Sequence, residues 1–192
     1  MSVRASSMDV ELQAIHARLM VCSTGQDNDY VLACIIASWQ GGIGVLPDWL
    51  GLREEDFAAL LSVHFPGLPV DSLVNPGRAM PGERFDEREE VCRLMLSERA
   101  KQTDSECWLA EIVAVACQGQ DHLWQDLGLW SRSDLSDLLQ RNFPALAARN
   151  VKDMKWKKFL YKQLCLAEGI YVCRAPSCEV CAEYAICFGP ED

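Results

Sequence analysis

The stretch Leu50-Gly51-Leu52-Arg53-Glu54-Glu55-Asp56-Phe57-Ala58-Ala59-Leu60-Leu61-Ser62-Val63-His64-Phe65-Pro66 decides the fold, because the chain repeats it. Leu50-Gly51-Leu52, Asp56, Leu60-Leu61, Phe65-Pro66 and Leu68 return in order as Leu127-Gly128-Leu129, Asp134, Leu138-Leu139, Phe143-Pro144 and Leu146. Upstream, Arg18-Leu19-Met20 matches Arg93-Leu94-Met95 and Val31 to Ala37 matches Trp108 to Ala114, so the offset drifts only from 75 to 77 to 78 residues. Self-similarity on this scale reads as duplication of a supersecondary unit. In the first copy Phe57, Leu60, Leu61 and His64 share one helical face, and Glu54, Glu55 and Asp56 occupy the first turn, where the helix dipole favours acids. In the second, Ser131 or Ser133 is the N-cap and Leu135, Leu138 and Leu139 repeat the face. Pro66 and Pro144 stop both copies.

Each copy also holds an opening helix and a buried one, the latter over Asp29 to Gln40 and Cys107 to Gln118. The expected architecture is all-α. A duplicated three-helix unit, with copies over about residues 11–70 and 87–148 and a linker at 71–86, packs about a pseudo-twofold into a body spanning 1–148. A second segment, 149–192, carries a basic helix and a cysteine-rich loop.

In that loop Cys173, Cys178, Cys181 and Cys187 stand at C-x4-C-x2-C-x5-C spacing, near enough to converge on one inorganic centre. Thiolates are soft ligands that suit iron–sulfur clusters, zinc and copper(I). Structural zinc usually takes two tight cysteine pairs, whereas one tight pair flanked by single cysteines fits a larger cluster. Spacing leaves iron–sulfur, zinc and unrelated thiols all open. Before the loop, Asn150 is read as capping a helix with Asp153 as its third residue and Gly169 as its stop. Trp156, Phe159, Leu160, Leu164 and Ala167 form its apolar face; Lys155, Lys158 and Lys162 form a second line. Residues 149–162 hold five of the six lysines and a net charge of +5 in a chain of net −10. That line is either a solvated face or an electrostatic device that offsets an anionic cluster, attracts an oxyanion such as molybdate, or guides an acidic partner.

The remainder of the chain reads as structural. With 192 residues, 49% of them hydrophobic, it has enough material for a real core. The acidic balance disfavours nucleic-acid binding. Met1 to His16 contains no apolar signal region, and no run of residues has the length of a membrane span, so a cytoplasmic protein is expected. In that compartment ten cysteines are metal ligands or buried thiols rather than disulfides. Cys22, Cys34, Cys92, Cys107 and Cys117 are assigned to the core, and Trp39, Trp49, Trp108, Trp124 and Trp130 to core or seam. No Ser-His-Asp set, phosphate loop or dinucleotide-binding motif is read, and His16, His64 and His122 are scattered. His64 stands out, because the second copy puts Asn142 in its place.

Asp153-Met154-Lys155-Trp156-Lys157-Lys158-Phe159-Leu160-Tyr161, followed by the four spaced cysteines, resembles the NifQ family, which is implicated in supplying molybdenum for the iron–molybdenum cofactor of nitrogenase. The likeness is sharpest from Val151 to Pro190 and extends through Leu50 to Gly67. It implies a molybdenum–iron–sulfur cluster, built on a 3Fe-4S or 4Fe-4S precursor and held by Cys173, Cys178, Cys181 and Cys187. It also implies a carrier rather than an enzyme, one that takes molybdate or a Mo–S species and hands molybdenum to the nitrogenase iron protein and the cofactor scaffold. Molybdenum at a cube corner seeks donors beyond sulfide. Cys165, His64 and Asp153 are the side chains considered for that role, beside water. The rivals are a zinc-stabilised helical interaction module and an iron–sulfur DNA glycosylase, whose helix-hairpin-helix glycine motif and catalytic residue are not found here.

Overall fold

The computed structural model describes residues 2–69, 72–81, 85–169 and 184–189. Cys173, Cys178 and Cys181 lie outside the described residues. The chain is all-α, as expected, and no strand occurs among the described residues. Its helices are α1 (Ser2–Val21), α2 (Asp29–Gln40), α3 (Glu54–His64), α4 (Phe85–Ser97), α5 (Asp104–Ala116), α6 (Leu123–Leu127), α7 (Arg132–Asn142), α8 (Pro144–Ala147), α9 (Trp156–Ala167) and α10 (Tyr184–Phe188). A 3-10 turn at Asp48–Gly51 precedes α3. Among the described residues no helix is long and apolar enough to cross a membrane.

The centre of the molecule is α2 and α5, apolar nearly all round and buried from Val31 to Trp39 and, with Glu111 as the gap, from Trp108 to Ala116. A helix of that kind is stable only when other helices enclose it. Helix α1 lies along α2, α4 lies along α5, and α3, α6 and α9 close the remaining sides. Thr103 accepts from the Glu106 amide while the Glu106 carboxylate takes the Thr103 amide, so a reciprocal capping box starts α5 three residues before the expected Cys107.

The positions paired in the sequence take closely similar local form. Helices α3 and α7 each have 11 residues and bury Phe57, Leu60, Leu61 and His64 in one case and Leu135, Leu138, Leu139 and Asn142 in the other. Phe65 and Phe143 end them at φ −137°, ψ 55° and φ −134°, ψ 55°. Gly51 and Gly128 both hold positive φ, +86° and +75°. The tryptophans divide: Trp39 and Trp108 are core, Trp49 and Trp124 are packed against it, and Trp130 is 38% exposed with its indole N–H on Ser38 Oγ at 3.2 Å.

Gly128 needs its missing side chain twice over, because a Cβ there would be strained at positive φ and would sit 2.6 Å from Ser38 Cβ. Gly77 has φ +69° but open space around it. Gly77→Ala should therefore cost about 1 kcal/mol, the left-handed penalty alone. Gly128→Ala should cost about 2–4 kcal/mol, with overpacking added. Urea unfolding of the two variants measures the difference, and equal losses would contradict the α2–α6 close approach.

Candidate metal centre and the basic cleft beside it

Helix α9 does not begin where the sequence places it. Asn150 closes a loop instead of capping a helix: its Nδ2 donates to Met154 O and its Oδ1 accepts from Met154 N, both at 2.8 Å. Asp153 takes a left-handed φ of +52°, which aspartate tolerates better than most residues, and Arg132 grips its carboxylate at 2.7 and 3.0 Å. The helix starts at Trp156, whose ring packs edge-on against Phe159 at 5.7 Å and donates to Ser136 Oγ at 3.2 Å. Trp156, Phe159 and Leu160 are buried, and Gly169 ends the helix at φ +70°. The first turns of the apolar face dock on the body and Leu164 packs against it in part, whereas Ala167, the last residue expected on that face, is exposed because the helix end runs out past the core.

One lysine of this helix faces inward, which its place among five lysines conceals. Lys157 Nζ donates to Gly119 O at 3.0 Å, to Asp121 O at 2.7 Å and to the buried carboxylate of Asp126. Burial pushes the Asp126 carboxyl up, against the pull of Lys157. The contact fastens the start of α9 to the loop between α5 and α6.

That loop, α9 and α10 bound a cleft of about 720 Å3. Lys155 and Lys158 line one side, His122 and Gln125 another, and Ala185 and Ile186 of α10 a third. The Lys155 amide donates to Cys187 O at 2.8 Å, so the last cysteine of the spaced set sits at the N-terminus of α9. Cys187 is half-buried and is not in a disulfide. Tyr184 stacks on Phe188 at 4.5 Å and the Gly189 amide returns to Ala185 O, which hold this short helix together. Lys162, the third residue of the lysine line, is exposed and does not line the cleft.

The side chains considered as extra ligands lie elsewhere. Asp153 is committed to Arg132, and Cys165 lines a second cleft beside Glu87, Glu90 and Glu168. His64 is fully buried at a third, with Nδ1 hydrogen-bonded to Asp29 Oδ1 at 2.6 Å and Nε2 to Ser105 Oγ at 3.0 Å. An Asp-His-Ser row therefore exists, which the sequence reading did not see because its members are 35 and 41 residues apart. Its hydroxyl is held from a second side by Asn28 Nδ2 at 3.0 Å, and Asn28 and Asn142 exchange amide hydrogen bonds at 2.8 and 2.9 Å. Ser23 and the Gln26 amide complete the Asp29 carboxylate. These groups join the ends of α2, α3, α5 and α7, and the node locks a seam.

Of the five body cysteines assigned to the core, Cys34 and Cys117 are buried in it, Cys22 and Cys92 are partly buried against it, and Cys107 is only half-buried. Burial pushes Cys34 and Cys117 up to about 12 and Cys92 to about 11, which keeps them as thiols. Cys22 and Cys107 are half-buried, Cys107 accepting from Arg99 at 2.9 Å. Among the described residues no group of three or more His, Cys, Asp or Glu side chains is gathered round a common point.

A family model described as NifQ matches residues 31–189. The chain is 47% identical over 174 residues to Protein NifQ of Azotobacter vinelandii, covering 85% of this chain and 89% of that protein. It is 37% identical to Protein NifQ of Rhodobacter capsulatus, covering 84% and 88%, and 33% identical to that of Klebsiella pneumoniae, covering 78% and 92%. No solved structure matches.

Two outcomes follow from the buried polar groups. Burial raises the Asp29 carboxyl, but hydrogen bonds from Ser23, His64 and the Gln26 amide outweigh it and hold the group below the ordinary aspartate value. Its contribution to folding is present above the unfolded value of about 3.9 and is lost as pH falls through the lower folded one. The wild-type urea midpoint should therefore fall more steeply between pH 5 and 3 than that of Asp29→Asn, by roughly one pH-linked proton. Lys157→Met, which leaves Asp126 charged and buried, should cost about 3–5 kcal/mol, whereas Asp126→Asn should cost about 1 kcal/mol or less, because Lys157 keeps two carbonyls. Equal costs in denaturant titration would contradict the asymmetry.

Proposed function

The chain belongs to the NifQ family, and from that membership we propose that it carries molybdenum within an iron–sulfur cluster and donates it during assembly of the iron–molybdenum cofactor of nitrogenase. Its part in nitrogen fixation comes with the family; the cluster and its handling are our reading. Cys173, Cys178, Cys181 and Cys187 are the proposed ligands, thiolates being the donors that such clusters take. The observation that carries the reading is the Lys155 amide on Cys187 O, with Lys155 and Lys158 lining the adjoining cleft.

The chemistry of this arrangement fits an anionic cargo. A cluster bound by four thiolates carries negative charge, and two ammonium groups beside it offset that charge and attract an oxyanion such as molybdate or an acidic recipient. The recipients proposed are the nitrogenase iron protein and the cofactor scaffold. The role needs no turnover, so the protein acts as a carrier and not as an enzyme. The Asp29–His64–Ser105 row is read as part of the seam. We also read the matched halves of the body as the product of duplication, serving as a rigid platform for residues 149–192.

Protein prepared without oxygen from molybdate-fed, nitrogen-fixing cells should contain iron, sulfide and molybdenum. Cys187→Ala should lose most of its iron while keeping its helical circular dichroism, because the tail ligand lies outside the core. Lys155→Gln with Lys158→Gln should keep iron but slow delivery to an acidic recipient, with the difference shrinking as salt rises. Wild-type protein holding zinc and no iron would replace this reading with the zinc-stabilised module.

A further inference from the structure

We infer that Cys107 is a peroxide-reactive thiol and that Cys92, across the α4–α5 pair, closes a disulfide with it once Cys107 is oxidised. This activity is separate from the carrier reading and needs neither the metal nor any residue of the cysteine-rich loop. Helices α4 and α5 lie against each other and are joined by the short segment 98–103, so they run antiparallel. Because α4 ends at Ser97 and α5 begins at Asp104, Cys92 and Cys107 stand within about one helical turn of the same height on the two helices. Val91 and Met95 fill the core side of α4, and Trp108 and Leu109 that of α5. The two cysteines are half-buried at the rim of the pair, where a solute as small as hydrogen peroxide reaches them, and neither is in a disulfide.

The groups around the two sulfurs differ. Arg99 Nη1 donates to Cys107 Sγ at 2.9 Å, and Arg99 Nε is tied to Leu96 O at 2.9 Å, so the guanidinium is fixed at the sulfur. Thiolate is the attacking form of cysteine, and a fixed guanidinium is a natural partner for it. Cys92 is the opposite case. Burial first, then Glu111 and a charge on Cys107, push it up to about 11, against the pull of Arg88 and Arg93. A charge on Cys107 therefore keeps Cys92 a thiol. That is the division of labour between a sulfur that attacks and one that resolves.

The chemistry balances with hydrogen peroxide as the oxidant. The Cys107 sulfur attacks one peroxide oxygen, an S–O bond forms, the O–O bond breaks, and hydroxide leaves to take the proton that the thiol gave up to solvent. Peroxide has accepted two electrons, and Cys107 is a sulfenic acid. The Cys92 sulfur then attacks the Cys107 sulfur, an S–S bond forms, the S–O bond breaks, and the departing hydroxide leaves as water with the Cys92 proton. Two thiols and one hydrogen peroxide give one disulfide and two waters. The bridge ties α4 to α5 by closing the loop from 92 to 107.

The test treats the full chain, prepared without oxygen, with hydrogen peroxide and follows each cysteine by site-resolved mass spectrometry. The wild type should yield a Cys92–Cys107 linked peptide, two hydrogens lighter than the reduced pair and restored by dithiothreitol. Cys107 should react at least severalfold faster than Cys22, the third half-buried thiol of the body. Cys92→Ser should stop at a Cys107 sulfenic acid that dimedone traps, and Cys107→Ser should leave Cys92 reduced. Arg99→Gln should slow Cys107 oxidation by about tenfold, and Arg99→Lys should recover part of the rate, with helical circular dichroism unchanged in each. Cys107 reacting no faster than Cys22 would overturn the inference, and so would a wild-type Cys107 sulfenic acid that persists without a bridge to Cys92. Neither result touches the carrier reading, which metal analysis of the untreated protein decides.

Discussion

A single ammonium group ties the start of α9 and the cleft beside it to the helical body that folds by burying apolar surface. Lys157 Nζ reaches out of α9 into the loop between α5 and α6, where it finds two backbone carbonyls and the buried Asp126 carboxylate. The exchange is not cheap for Asp126, whose charged form is disfavoured by burial. What it secures is register. With Lys157 anchored, Lys155 and Lys158 fall on the cleft side, Trp156, Phe159 and Leu160 fall on the core side, and the free Lys155 amide meets Cys187.

The body beneath is held differently. Helices α2 and α5 have almost no polar surface to spare, so their ends must carry the polarity that the fold requires. There Asp29 collects Ser23, Gln26 and His64, while Glu106 collects the amides of Ala100, Lys101 and Thr103. Asn28, Ser105 and Asn142 link the two sets across the seam. A buried polar network is stabilising only when nearly every member is satisfied, and this one leaves its carboxylates fully occupied. It fixes how the ends of α2, α3, α5 and α7 meet, a task that interchangeable leucines on α3 and α7 do not perform.

Periodicity made the helical body legible. Repeated landmarks located α2, α3, α5 and α7 to within a few residues, and the Gly169 stop of α9 was readable because glycine at a helix end has a physical reason to be there. The start of α9 was not readable. Asn150 and Asp153 have the chemistry of a capping box, but Met154 and Arg132 compete for them, and only the tertiary structure decides which partner wins. His64 drew attention because its repeat partner is asparagine, and that difference turned out to mark the seam. Cys173, Cys178 and Cys181, legible as a spacing, lie outside the described residues.

The charge of the whole chain is a poor guide to what approaches the cleft. A net of −10 describes the protein at distances where solvent ions have already erased most of it, since screening at physiological ionic strength acts over about 8 Å. Within that range of Lys155 and Lys158 the relevant groups are their own neighbours. Lys157 pairs with Asp126, and among the described residues of the lining Asp121 is the acid that stands beside Lys155 and Lys158. The acidic remainder still matters, because it denies nucleic acid a broad positive footprint. On the carrier reading proposed above, a small basic cleft in an acidic protein would select by size, favouring an anion that enters, or a short acidic protrusion, over an extended polyanion that must lie along the surface.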